Sequence, residues 1–208
     1  LAGSGDLFFN VQHPADTNAA PFNRAAIGVV EGYDFRGLPR RFTPVGEPAS
    51  ESGKQRVRVA VGEYRVLAGE GDTMDGHAAP GLGGIVDDGA TGSKEIKQSN
   101  DPDFNGFVPT SPDGTAGYLY TNWEDRPGGI SRLPIRKGGD GAWRVVNSEA
   151  RMLDLSAVRG TWMNCFGTVS PWGTPLSSEE LYFDDTDAWN HPGRGTAGTI
   201  RDLAEYLG

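Results

Sequence analysis

Glycine and proline interrupt this chain so often that long helices cannot form along most of its length. The 208 residues include 31 Gly and 14 Pro, and both residue types end regular secondary structure and favour turns. Between these breaks, apolar and aromatic residues gather in short clusters. Short apolar runs bounded by turn residues are typical of β-strands. The sequence therefore predicts an all-β fold.

Strand patterns occur in several separate segments of the chain. They predict strands at residues 6–13, 26–35, 56–67 (a hairpin turning at Gly62-Glu63), 117–123, 129–135, 143–147 and 160–166. Strands of this number and length can form a sandwich, a barrel, or two to three blades of a β-propeller. Periodicity alone does not separate these three architectures.

Two other segments depart from the strand pattern. The stretch at about 69–105 is rich in Gly and Asp and is too long for an ordinary connection, which predicts a functional or partly disordered insertion. The end of the chain predicts a short helix, because Thr199 can cap it. Its apolar residues fall on one face: Ile200, Leu203, Ala204 and Leu207.

The charge of the chain limits its partners. The formal net charge is −9, and lysine occurs only at positions 54, 94, 97 and 137. An acidic, lysine-poor surface repels nucleic acid and anionic membranes, so neither is an expected partner. No apolar run is long enough to span a bilayer. Such a surface suits a halophilic protein that stays soluble in concentrated salt.

The densest group of chemically capable residues lies between Asn164 and Glu180. A predicted strand delivers Asn164 and Cys165, and a turn rich in Gly, Ser and Pro then leads to Glu179 and Glu180. A thiolate beside carboxylates suits iron or zinc, whereas carboxylates alone suit calcium or magnesium. Adjacent residues of an extended chain point to opposite faces, so the two glutamates are not expected to serve one site in the same way. A core cysteine beside a solvated glutamate pair is the alternative reading.

The run N-C-x-G-x-x-x-P-W-G-T-x-x-x-x-E-E at 164–180 resembles the signature of the PhoX family of secreted alkaline phosphatases. The resemblance implies a β-propeller that hydrolyses phosphate monoesters with an iron–calcium cluster. It also implies that Cys165 is an iron ligand and that Asn164 faces the substrate as a catalytic residue. Glu179 and Glu180 would then belong to the metal shell.

Two further stretches are similar to the same family. Residues 103–109, 117–124 and 127–133 resemble a region that the family writes with Asn-His-Glu, where this chain has Trp123 in place of the histidine. The resemblance leaves Glu124 as a metal ligand and Asn122 as a substrate-binding residue. Residues 7–14 resemble a segment near the end of family members, which suggests a permuted or divergent member and makes His13 a substrate-binding candidate. A plain strand-end turn is the alternative for His13.

The resemblance implies a secreted protein, extracellular or at the cell surface, with iron and calcium as cofactors and a phosphate monoester as substrate. Residues 1–208 would form part of a propeller domain, completed by further chain or by another chain. A catalytically inactive, calcium-stabilised propeller that serves as a surface or structural protein is an alternative. An acidic β-sandwich binding module is another, with Asp184-Asp185-x-Asp187 as a calcium loop.

Overall fold

The computed structural model describes residues 4–38, 40–41, 43–74, 81–86 and 95–180. Antiparallel strands dominate this part of the chain, which confirms the all-β prediction. The strands are β1 (Leu7–Val11), β2 (Ala26–Glu31), β3 (Glu63–Gly69), β4 (Gly84–Val86), β5 (Glu95–Gln98), β6 (Pro102–Pro109), β7 (Ala116–Trp123), β8 (Gly129–Lys137), β9 (Trp143–Val145), β10 (Arg151–Met152), β11 (Asn164–Val169) and β12 (Pro175–Glu179). The single α-helix of this part, α1 (Glu51–Lys54), is one turn long.

The described strands form four sheets. A three-stranded sheet has the order β1-β2-β3, and a five-stranded sheet has the order β10-β8-β7-β6 with β9 also paired to β8. Two hairpins, β4-β5 and β11-β12, form the other two sheets. In the five-stranded sheet, β6, β7 and β8 follow one another as a meander, and β9 and β10 pair with opposite ends of β8. The β11-β12 hairpin packs chiefly on β6 and also contacts β7.

One hydrophobic core joins the three-stranded and five-stranded sheets. It contains Ile27, Val29, Ala68, Met74, Leu82, Leu119, Trp123, Leu133, Ile135, Trp143 and Ala150. Alternate residues of β7 and β8 supply much of it, because successive side chains of a strand point to opposite faces. This burial supplies the main favourable term for folding. It also fixes β6 and β7, which carry part of the candidate site.

A buried ion pair lies at one edge of this core. The carboxylate of Asp6 is almost fully buried, and its Oδ2 accepts hydrogen bonds from Lys137 Nζ at 2.7 Å and from Trp143 Nε1 at 2.8 Å. A buried carboxylate needs such donors, since an unpaired charge in the interior is costly. The pair therefore connects the residue before β1 to the five-stranded sheet.

Several predictions about the elements need correction or fall outside the described residues. The predicted strand at 56–61 is absent, because its expected hairpin partner, 63–69, pairs with β2 instead. Within the predicted insertion at 69–105, the structure has the paired strands β4 and β5 and the start of β6. The C-terminal helix and the Asp184–Asp187 run lie outside the described residues. No helix in the described ranges is long and apolar enough to cross a membrane.

Candidate metal centre

A β-bulge in β6 positions the first acidic residue of the site. The β6–β7 ladder is interrupted after Pro102, so that Asp103 and Phe104 together lie opposite the single residue Asn122. An extra residue of this kind bends the strand and turns its side chains away from the regular alternation. The bulge is therefore the local reason why Asp103 is presented at this point of the sheet.

A second bulge, in β11, positions the cysteine. The β11–β12 ladder is interrupted after Asn164, so that Cys165 and Phe166 together lie opposite Ser178. Met163, the residue before this strand, has a left-handed φ of 48°, a backbone conformation that is unfavourable for a residue with a side chain. Bulges and strained backbone are both enriched beside functional sites. The two bulges face each other across the contact between β6 and β11.

Three potential metal ligands converge where these bulges meet. One ligand atom each from Asp103, Glu124 and Cys165 lies within 4.8 Å of the other two. The thiol of Cys165 donates a hydrogen bond to Asp103 Oδ2 at 3.0 Å. Glu124 directly follows the last residue of β7, and all three residues are partly buried. Carboxylate oxygens and a thiolate at this spacing are a donor set that a single cation can bind.

The electrostatics of the cluster show that its acidic groups are crowded. Burial raises the pKa of Glu124 to about 7, helped by a hydrogen bond with Asp103 and by the charges of Asp101, Asp103 and Glu180. Burial also raises the pKa of the Cys165 thiol far above its usual range, and hydrogen bonds with Glu180 and Asp103 add to this. Both shifts favour the protonated, uncharged forms of Glu124 and Cys165, because charging these groups here is costly. A bound cation would remove this cost, so these residues fit a metal ion.

The two adjacent glutamates of the motif lie in different surroundings. The carboxylate of Glu180 is among the groups that raise the pKa of the Cys165 thiol and of Glu124, so it borders the cluster. Glu179 Oε1 instead accepts a hydrogen bond from the backbone N–H of Trp162 at 2.8 Å. The alternation of an extended chain explains this difference. Glu180 thus lies at the border of the cluster, while Glu179 supports the loop before β11.

The two asparagines predicted to contact substrate are both buried. Asn164 donates from Nδ2 to Ser177 Oγ at 3.0 Å, and its Oδ1 has no hydrogen-bond partner among the described residues. Asn122 donates from Nδ2 to the carbonyls of Cys165 and Phe166. Both amides therefore make contacts within the protein.

His13 lies near the cluster through Asp101. Its Nε2 is 3.0 Å from Asp101 Oδ1, and the imidazole is 64% exposed. His13 also has a left-handed φ of 47°, which marks a further strained position near the cluster. Burial raises the pKa of Asp101 to about 6, although the charge of His13 opposes this shift. The charge of Asp101 in turn raises the pKa of Glu124. Because His13 contacts Asp101, it lies at the rim of the acidic cluster.

Sequence reasoning did not identify Asp103 or Asp101 as site residues. The signal present in the sequence is the Asp-Pro-Asp run at 101–103 just before an apolar strand. The regular alternation of side chains does not predict that Asp103 lies near Glu124. The orientation of Asp103 is set by a bulge, and that bulge exists only because β6 pairs with β7. The sequence of one strand does not show which other strand it will pair with.

The chain was compared with protein-family models, with curated proteins and with solved structures. None of the three comparisons gives a match. The candidate site is therefore defined by its own geometry: two bulged strands that bring a thiol and two carboxylates together, with further acidic groups around them.

The raised pKa of Glu124 predicts how the metal-free protein responds to pH. Its carboxyl has a folded pKa of about 7 against an ordinary 4.5, so folding disfavours the charged form. The stability this group contributes is present below pH 4.5 and is lost as the pH rises through about 7. Urea unfolding of chelator-treated protein is expected to show a fall in stability between pH 5 and pH 8. The fall should be smaller in Glu124→Gln, and an equal fall in both proteins would contradict the assignment.

Proposed function

We propose that this protein is a secreted, metal-dependent phosphomonoesterase of the PhoX type, with Cys165, Asp103 and Glu124 as ligands of an iron–calcium centre. The observation that carries the proposal is the convergence of three ligand atoms within 4.8 Å. Two of these residues, Cys165 and Glu124, come from separate stretches that each resemble the family. The third, Asp103, begins the resembling stretch 103–109 but was not predicted as a ligand, and it adds a carboxylate at the same point.

The donor set favours particular metals. A thiolate with carboxylates suits iron, and the additional carboxylates at the border of the cluster, Glu180 and Asp101, suit a hard cation such as calcium. The charges of both residues raise the pKa of Glu124, which places them near the three converging ligands. Glu179 is held by the Trp162 backbone and takes a supporting role.

The negative charge of both substrate and protein explains why the proposed reaction needs metal ions. A phosphate monoester carries two negative charges, and an acidic protein with a net charge of −9 would repel it. A multivalent metal centre, when bound, reverses the local sign and lowers the pKa of a bound water to give a nucleophile. The chain's own acidic residues hold that centre. The exposed imidazole of His13 stands at its rim, where it can contact substrate oxygens or the leaving group.

The five-stranded sheet supports a propeller architecture. Its strands β6, β7 and β8 form an antiparallel meander. The short strands β9 and β10 both pair with β8 and together take the place of a fourth strand. A propeller blade is a four-stranded antiparallel sheet of this kind. We infer that this sheet is one blade. The rest of the ring would come from further chain or from another chain, at an extracellular or cell-surface location.

The proposal is tested by activity before and after metal removal. The protein is expected to hydrolyse p-nitrophenyl phosphate, to lose that activity on exhaustive chelation, and to regain it when iron and calcium are restored together. Phosphodiester, glycoside and peptide substrates serve as controls and should not be hydrolysed. Turnover that survives complete metal removal would rule out the mechanism, and activity confined to the control substrates would rule out the substrate class.

One observation favours a second candidate, a calcium-stabilised propeller without catalysis. Trp123 occupies the position where the family has a histidine, and here it is a fully buried core residue whose Nε1 donates to Ser131 Oγ at 3.0 Å. It supplies no ligand or proton donor to the centre. Elemental analysis separates the two candidates, because calcium without iron would favour the inactive protein.

A further inference from the structure

We propose that Asn122 is a positioning residue whose amide group holds the two β-bulges together, so that Asp103 and Cys165 face the same point. This inference rests on the proposed metal centre. It also gives Asn122 a role different from the substrate contact that the resemblance implies.

The geometry places Asn122 between the two bulges. In β7 it is the single residue opposite Asp103 and Phe104, the bulge of β6. Its Nδ2 donates to the carbonyl oxygen of Cys165 at 2.9 Å and to that of Phe166 at 3.2 Å. These two carbonyls belong to the bulge of β11. The side chain is 3% exposed, so water does not compete effectively for these bonds.

The β11-β12 hairpin and the five-stranded sheet need such a connection. Among the described strands, β11 and β12 form a sheet of their own, and no ladder joins them to the five-stranded sheet. Backbone hydrogen bonds from Gly128 to Thr161 and from Met163 to Asp125 fix the approach to β11, but they end before the bulge. A bulge leaves backbone groups without ladder partners, and buried carbonyls require donors. Asn122 supplies donors at the residue that carries the thiol.

A second contact joins the same two ligands. The Cys165 thiol donates to Asp103 Oδ2 at 3.0 Å and so links the two side chains directly. The bonds from Asn122 go instead to backbone carbonyls, so they orient Cys165 through its main chain. Asn122 thereby keeps Cys165 directed toward Asp103 and Glu124.

The test compares Asn122→Leu, which has the same branched shape but no donors, with the wild-type protein and with Ser131→Ala. Ser131 is fully buried in the same sheet and accepts a hydrogen bond from Trp123, so its removal breaks a buried bond without touching either bulge. Co²⁺ is titrated into chelator-treated protein, and the thiolate-to-cobalt absorption reports ligation by Cys165. Positioning partners of metal ligands typically contribute about 10–100-fold to metal affinity. We expect a loss of that size, with a weaker thiolate band, in Asn122→Leu and wild-type behaviour in Ser131→Ala.

Wild-type Co²⁺ affinity and absorption in Asn122→Leu would overturn the inference, as would equal losses in Asn122→Leu and Ser131→Ala. Should Asn122→Leu fail to fold, Asn122→Ser is judged by the same comparison, because its hydroxyl is too short to replace both bonds. A wild-type protein that binds Co²⁺ but hydrolyses no phosphate monoester would contradict the proposed function and leave this inference standing. A wild-type protein that binds no Co²⁺ would overturn both.

Discussion

Cys165→Ser protein is expected to purify without its iron and to lose most of its phosphatase activity while remaining folded. Ligation by cysteine requires the thiolate, and a hard hydroxyl replaces a soft thiolate poorly. The residue is only partly buried, and its side chain contacts acidic groups rather than the hydrophobic core. If Cys165 served only to fill space, the same change would cost about 1–3 kcal/mol of stability through a buried hydroxyl and leave the metal content unchanged.

The measurement is iron per chain, made on the same preparation as urea unfolding and phosphatase activity. Ser170→Ala is the matched control, because Ser170 lies in the turn of the same hairpin and its Oγ accepts a hydrogen bond from the backbone N–H of Thr174 at 3.1 Å, away from the bulge. The control should keep its iron. A Cys165→Ser protein with the iron content of the wild type would remove Cys165 from the site.

Trp143→Ala is expected to cause the largest loss of stability, about 3–5 kcal/mol, as for other large-to-small changes in a packed core. Trp143 is 1% exposed and meets Phe8 and Phe107 in edge-on contacts. Its Nε1 also donates to the buried carboxylate of Asp6 at 2.8 Å. The change therefore opens a cavity and removes a donor from a buried charge, and each effect destabilises the fold.

Trp172→Ala provides the matched control for this prediction. Trp172 is 88% exposed, in the turn between β11 and β12, and its removal should change the free energy of unfolding by no more than about 0.5 kcal/mol. Trp143→Phe separates the two contributions, because it keeps most of the packing and loses the bond to Asp6. Equal losses in Trp143→Ala and Trp172→Ala by urea unfolding would contradict the core assignment.

The strand content was predictable from sequence because turn residues bound the apolar runs. The segments at 26–35, 117–123 and 129–135 became β2, β7 and β8, each of which pairs on both sides. The alternating run at 56–61 did not become a strand, although its pattern was among the clearest. Alternation reports the ability of a segment to face a core, whereas strand formation also needs a pairing partner. The expected partner of 56–61, residues 63–69, pairs with β2 instead.

The candidate site was predictable only in part for a related reason. Cys165 and Glu124 stand in motifs that carry a resemblance, so both could be proposed as ligands before the fold was seen. The structure brings them together with Asp103, and a bulge sets the orientation of Asp103. The hydrogen bond from Asn122 to the Cys165 carbonyl depends on how the β11-β12 hairpin packs on the five-stranded sheet. Such contacts between distant elements leave no pattern in either segment alone.

The central claim, that Asp103, Glu124 and Cys165 bind one metal ion, is tested most directly by anomalous X-ray diffraction at the iron edge from crystals of metal-replete protein. We expect an anomalous peak about 2.0–2.3 Å from one ligand atom of each of the three residues, as in other protein metal sites. It also predicts that the 3.0 Å thiol-to-carboxylate hydrogen bond between Cys165 and Asp103 is lost. No anomalous peak at this point, with that hydrogen bond intact, would contradict the account.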